Sequence, residues 1–309
     1  MNFSISITEQ VNNGIKRIII EQIEDAVSRL SETNNNFDIA IHETRKDFKK
    51  IRAVIRMVRF ELGQELYKRE NIFFRDTGRL LSRIRDAAAM AEALEKLFNN
   101  HKNEISLEDY KRLRTNLKRR ALGIKNQFKR NKKLIEGIRN LLGKHIDEVR
   151  AWGLTKEDFT LIEDGIKQVY QRGLNGIAEI GKNPSAHNFH EWRKRVKYLW
   201  YIVKILNEAW IETMTPLSDK LDILSDYLGD EHDLAELREL LIRDTALFGD
   251  EVKQVQFLNV LGMERLELQS RAKSLIGYIY NESADEFVHR IKSYWEQSKH
   301  NFNHPVDTL

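Results

Sequence analysis

An all-α fold is predicted by three observations. Only three prolines, Pro184, Pro216 and Pro305, and fifteen glycines interrupt 309 residues, so long helices meet few breakers. Apolar residues recur at helical spacing through nearly the whole chain. Strand-like alternation is confined to FSISI, residues 3–7. The length admits one large domain or two of about 150 residues.

In order, the periodicity places helices at 8–30, 38–62, 65–99, 107–142, 155–181, 187–211, 216–229 with a continuation to 246, 250–279 and 282–300. Breaks are expected at TNNN (33–36), around 143–153, at GKNPS (181–185) and before Pro216. Ser106 with Asp109 three residues on reads as a capping box with Asp in place of Glu, and Thr155 with Asp158 repeats that signal.

Composition narrows the function classes. The chain has no cysteine, which excludes disulfides and thiolate metal sites and fits a reducing compartment. The start, MNFSISITEQVNNGIKRIII, lacks a signal core, and its apolar run is too short to span a membrane; a cytoplasmic location is expected. The net charge of +4 hides an asymmetry. Residues 41–150 carry 29 Lys and Arg against 15 Asp and Glu, whereas 151–309 is net acidic by 7. Such concentration points to a polyanionic partner.

The chain also repeats itself. IHETRKDFKKIRAVIRMVR starts at Ile41 and FHEWRKRVKYLWYIVKIL at Phe189. At a constant offset His42 meets His190, Glu43 meets Glu191, Arg45 meets Arg193, Lys46 meets Lys194 and Lys49 meets Lys197. Asp86 in SRIRDAAAMAEAL lies opposite Asp230 in DYLGDEHDLAEL. Identity, spacing and order recur, so an internal duplication is expected, with repeats at about 1–150 and 151–309.

Helical projection then sorts the charges. His42, Arg45, Lys49, Arg52, Arg56 and Arg59 share about 100° of arc, opposite a stripe of Phe48, Ile51, Val54, Ile55, Val58 and Leu62. The second copy sets His190, Arg193, Lys197 and Lys204 against Trp192, Val196, Leu199 and Val203, with Trp200 standing where the first has Arg52. A third row is Lys111, Arg114, Lys118, Lys125, Lys129, Lys132 and Arg139, and a fourth is Arg75, Arg79 and Arg83. Like charges four residues apart each cost a few tenths of a kcal/mol. A merely solvated face would intersperse Glu, so the rows read as an anion site.

The H-x-x-R-K-x-x-K pattern at His42 and again at His190 resembles the CHAD family, the conserved histidine α-helical domains. GIKQVYQRG before the second histidine helix and LGDEHDLAEL after it extend the resemblance over essentially the whole chain, as one CHAD-like domain. It implies two four-helix bundles related by pseudo-twofold symmetry, with basic helices lining a central groove or pore. It also implies binding of inorganic polyphosphate, association with polyphosphate granules, and no enzymatic activity. Matching positions are His42, Arg45, Lys49 and Arg52, then His190, Arg193 and Lys197. The family commonly has Arg before Tyr where this chain has Trp200–Tyr201. Of its Arg-Asp-x-Asp element, Arg85 and Asp86 keep the first half, and Asp230 and Asp233 keep both acids.

The expected function is therefore non-catalytic capture of polyphosphate, without cofactor or metal, by His42, Arg45, Lys49, Arg52, Arg56, Arg75, Arg79, Lys111, Arg114, Lys118, Lys125, His190, Arg193, Lys197 and Lys204. Bound phosphates would favour protonated histidine, so binding should tighten from pH 8 to 6. His232–Asp233 suggests a metal phosphohydrolase pair, but no second histidine accompanies it along the helix; an acidic cluster or a salt bridge to the basic rows is the plainer reading. No Walker A loop or E-x-E-x-K signature is present. RNA binding is the main alternative, kept open by Tyr198, Trp200 and Tyr201, because single-strand binders stack bases on exposed aromatics. A protein-interaction scaffold using the acidic C-terminal half is another.

Overall fold

The computed structural model describes residues 3–31 and 37–304, with the backbone alone at 83–85. The expected TNNN break, Pro305 and the side chains of Arg83 and Arg85 lie outside the described residues. Within them every regular element is helical: α1 Val11–Ser31, α2 Phe37–Met57, α3 Arg59–Leu80, α4 Ser82–Asn100, α5 Leu107–Arg130, α6 Lys132–Arg150, α7 Glu163–Lys182, α8 Ala186–Ile205, α9 Ile211–Arg243, α10 Glu251–Ser274, the short α11 Ile276–Ile279, and α12 Ala284–Asn303. The FSISI segment pairs with no strand; its Ile5 N–H donates to the Ile205 carbonyl at 2.9 Å.

Several boundaries depart from the periodicity, each for a local reason. The expected helix 38–62 stops at Met57, and the chain turns through Val58 to Gly63, whose φ of 74° is open to glycine at little cost. The expected 65–99 divides at the fully buried Leu81. The expected 107–142 divides at Asn131, whose side chain accepts the Leu134 N–H and so starts a new helix. Ser106 caps α5 as expected, accepting the Asp109 N–H at 3.1 Å; its hydroxyl also donates to the Asp109 carboxylate at 2.6 Å. Thr155 caps nothing. Its hydroxyl donates to Glu61 at 2.6 Å, and Asp158 caps a 3-10 turn ahead of α7. The helix expected from Pro216 begins earlier, at Ile211.

Two hydrophobic clusters form, and neither follows the sequence halves. The first joins α1, α2 and α6 to α7, α8 and α12, around Ile18, Ile51, Leu142, Tyr170, Trp192 and Trp295. The second joins α4 and α5 to α9 and α10, around Leu94, Leu117, Leu237 and Leu261. Helix α9 spans both, giving Leu221, Leu224 and Leu228 to the first and Leu234 to Leu241 to the second. Helix α3 is also fastened to α6 by a buried pair. His145 Nε2 lies 2.5 Å from Glu70 Oε2, its ring stacks on Phe73, and Arg69 donates to Glu70 and Glu148.

The tightest helix crossing holds the two halves together. Gly165 of α7 sits on the last carbonyls of α2, where a Cβ would stand 2.0 Å from the Met57 oxygen. Backbone cannot yield there as a side-chain tip does. Gly165→Ala is expected to cost about 1–3 kcal/mol, read as a lower thermal midpoint with the helical far-UV spectrum retained.

Candidate functional site

A cleft of about 590 Å³ lies where the two clusters meet. Helix α2 supplies Arg45, Lys49 and Arg52, α3 supplies Arg75 and Arg79, and α8 supplies Arg193, Lys194 and Lys197 with His187, His190 and Tyr198. From α4 comes Asp86, and from α9 come His232, Asp233, Glu236 and Glu239. Eight cationic side chains thus face four carboxylates.

Some of these cations are already engaged. Arg45 lies 3.5 Å from Asp86, Arg75 forks onto Asp76 at 2.7 and 2.9 Å, and Arg79 reaches the same carboxylate at 3.2 Å. Lys194 pairs with Glu191, and Arg52 donates to Asn71 at 3.1 Å. Three differ: among the described residues Lys49, Arg193 and Lys197 show no ion pair within 4 Å, and Arg193 Nε is buried without a hydrogen-bond partner.

Their electrostatics follow from that crowding. Burial, then the charges of Arg193, Lys197 and Arg45, drives the Lys49 amine well below its usual range. Lys197 is lowered to about 8 by burial and next by Arg193. Arg193 is lowered by burial, although Asp233 pulls the other way. The positions matched by the repeat, Arg45 with Arg193 and Lys49 with Lys197, therefore line the same cleft.

The histidines behave otherwise than expected. His190 Nδ1 lies 3.1 Å from His232 Nδ1, with ring centroids 4.2 Å apart. One nitrogen donates and the other accepts, so at least one ring is neutral. Burial and then the charges of Lys194 and Arg193 lower His190 to about 4; burial, then His190, lowers His232 to about 3. Both rings are thus held neutral near pH 7 in the free protein, so tightening through His190 at lower pH would require bound phosphate to return its proton. The second histidine absent from the α9 sequence arrives from α8, a tertiary contact that no spacing along the chain announces. His42 is elsewhere: half-exposed, 3.7 Å from Glu43 and outside the cleft lining.

Six other expected site residues also lie outside the cleft. Arg56 is 6% exposed, its guanidinium 3.8 Å from the Tyr198 ring centroid and bonded to Asn71 at 3.0 Å. It wedges α2, α3 and α8 together rather than facing a ligand. Arg59, in the same projected row, passes beyond the turn at Val58 and stacks over Tyr67. Lys111 and Lys118 are exposed on α5, Arg114 lies 3.7 Å from Glu95, and Lys125 pairs with Asp38. The reason is that α4 intervenes, giving Asp86 and Met90 to the cleft and Leu94 and Leu97 to the cluster shared with α5. Lys204 lies 4.8 Å from the Trp200 ring, outside the lining. Conversely, Lys194, His187 and His232 join the cleft without having been singled out as ligands. Lys194 was legible as the repeat partner of Lys46.

Tyr198 and Tyr201 are buried, which removes two of the three aromatics that kept base stacking open. No helix among the described residues is long and apolar enough to cross a membrane.

The described residues thus form an all-helical protein with an interior cleft lined by more cations than carboxylates. The CHAD domain model matches residues 17–242, most of the chain, and the protein belongs to that family. Helices α10, α11 and α12 follow the matched span. No curated protein matches the chain.

Proposed function

We propose that the cleft binds inorganic polyphosphate without transforming it. One observation carries this reading: Lys49, Arg193 and Lys197 line one cleft with no ion pair within 4 Å among the described residues, and burial lowers the proton affinity of all three. Desolvated like charges persist in a fold when an anion offsets their repulsion. Membership of the CHAD family supports phosphate chains as that anion.

Helix contacts favour the duplicated arrangement. α1 packs on α2 as α7 packs on α8, α1 on α6 as α7 on α12, and α4 on α5 as α9 on α10, while α2 meets α8 and α4 meets α9. Exchange of the two repeats maps this pattern onto itself, which supports a pseudo-twofold axis through the cleft. Each hydrophobic cluster then draws helices from both repeats. Within the cleft, Arg forks onto phosphoryl oxygens and Lys supplies point charge. Association with polyphosphate granules is the role that family membership suggests for such binding.

Titration calorimetry with polyphosphates of several lengths, beside RNA at matched phosphate and salt, tests the reading. Long-chain polyphosphate is expected to bind at least tenfold more tightly than RNA, to lose affinity steeply as salt rises, and to bind equally well in a chelator. Equal affinity for RNA would favour the nucleic-acid reading instead.

A further inference from the structure

Residues 110–135 carry eleven Lys and Arg and no Asp or Glu, in a chain with 51 bases against 47 acids. Four of the eleven are engaged within the protein: Arg112 with Asp109, Arg114 with Glu95, Arg120 with Asp244 and Lys125 with Asp38. The other seven have no carboxylate within 4 Å among the described residues.

Most of this stretch is α5, an outer helix that packs chiefly on α4 and, by a smaller contact, on the 3-10 turn Thr245–Leu247. Its far side is open. Projected at 100° per residue, Lys111, Lys118 and Lys129 fall within about 20° of one another, and Arg119 and Arg130 form a second line about 100° further round. Between the two lines lie Thr115, Leu122 and Asn126, and all eight residues are exposed. The strip runs for about 28 Å from Lys111 to Arg130; Glu108, in the first turn, bounds it at the N-terminal end.

Two lines of cations flanking a neutral strip select the ligand. A single phosphate chain calls for one line. A bilayer is gripped by an apolar helix face that enters it, yet Leu122 is the only large apolar side chain exposed between Lys111 and Arg130. A double helix instead presents two phosphate strands on either side of a groove. The B-form major groove is about 12 Å wide and admits an α-helix of about 10–12 Å diameter. Each line of cations then meets one strand, with Thr115, Leu122 and Asn126 toward the base edges. We infer that α5 is a docking helix for the major groove of double-stranded DNA, held mainly by phosphate contacts. Duplex RNA is set apart by its deep, narrow major groove. Helix α4 lies between the strip and the cleft, so the two sites share no side chain.

Fluorescence anisotropy of the full chain with a labelled, mixed-sequence DNA duplex of two helical turns tests this. Micromolar affinity is expected at physiological salt, with the matching RNA duplex at least about fivefold weaker. Lys118→Glu/Lys129→Glu and Arg119→Glu/Arg130→Glu should each weaken DNA binding at least about tenfold and flatten its salt dependence by about one counterion per lost contact. Lys118→Arg/Lys129→Arg should retain both, and Arg193→Gln in the cleft should leave DNA binding unchanged. No binding, equal affinity for the RNA duplex, equal binding to phosphatidylserine vesicles at matched charge, a loss confined to one line of cations, or a like loss in Arg193→Gln would each overturn the inference.

Discussion

Arg193→Glu is expected to lower the affinity for long-chain polyphosphate by at least about 100-fold, because a two-charge change beside a ligand is worth several kcal/mol at an effective dielectric near 20 even after salt screens part of it. Arg193 stands at the centre of the cleft, between Lys49, Lys197 and the α9 acids. Its reversal removes one attractive charge and adds a repulsive one where water is largely excluded. Arg193→Gln, which spares the fold a new carboxylate beside Asp233, should still cost about tenfold. Lys118→Glu makes the same formal change on the exposed face of α5. There screening by water and salt limits the loss to a few-fold. Calorimetry on the three variants decides where the polymer runs, because losses at Lys118 as large as those at Arg193 would move the track onto α5.

The second large effect is a pair of opposite pH slopes. Lys197 falls from its usual 10.5 to about 8 in the folded protein. Between those values the unfolded chain holds a proton that the folded chain lacks, so stability rises with pH. Below about pH 8 both states are protonated and the slope from this residue vanishes. Lys49 is lowered in the same direction, chiefly by burial, and adds to the trend. Polyphosphate binding demands the charged amines back, so affinity should fall as pH rises above about 8, by up to about tenfold per unit for each proton taken up. Thermal melts of the free protein should therefore rise over the range in which calorimetric affinity declines. Lys197→Arg, which keeps its charge, should flatten both. Slopes of the same sign would show that these lysines are not the groups that meet the ligand.

How much of this was legible beforehand varies residue by residue. The repeat placed Arg45 against Arg193 and Lys49 against Lys197 in alignment, and the fold brings those residues together. The projection also separated Trp192 and Ile51 correctly as core. It failed at Arg56, which shares the arc of Lys49 yet is buried under Tyr198, because a wheel drawn on one helix says nothing about the neighbour that covers it. The α5 row stands outside the cleft for a related reason: its charges are aligned, but α4 lies between them and the cleft. His190 and His232 could not be linked at all, since they belong to helices whose crossing is set by packing of the whole bundle.

Residue order alone set the helical content, the doubled histidine motif and the concentration of positive charge in one segment. These are properties of composition and of short-range periodicity, which act along the chain. Which cations share a cleft, which are wedged into the core and which pair with carboxylates was settled by how the helices pack. Burial and Coulomb forces act through space, over distances that this packing sets and residue order leaves open.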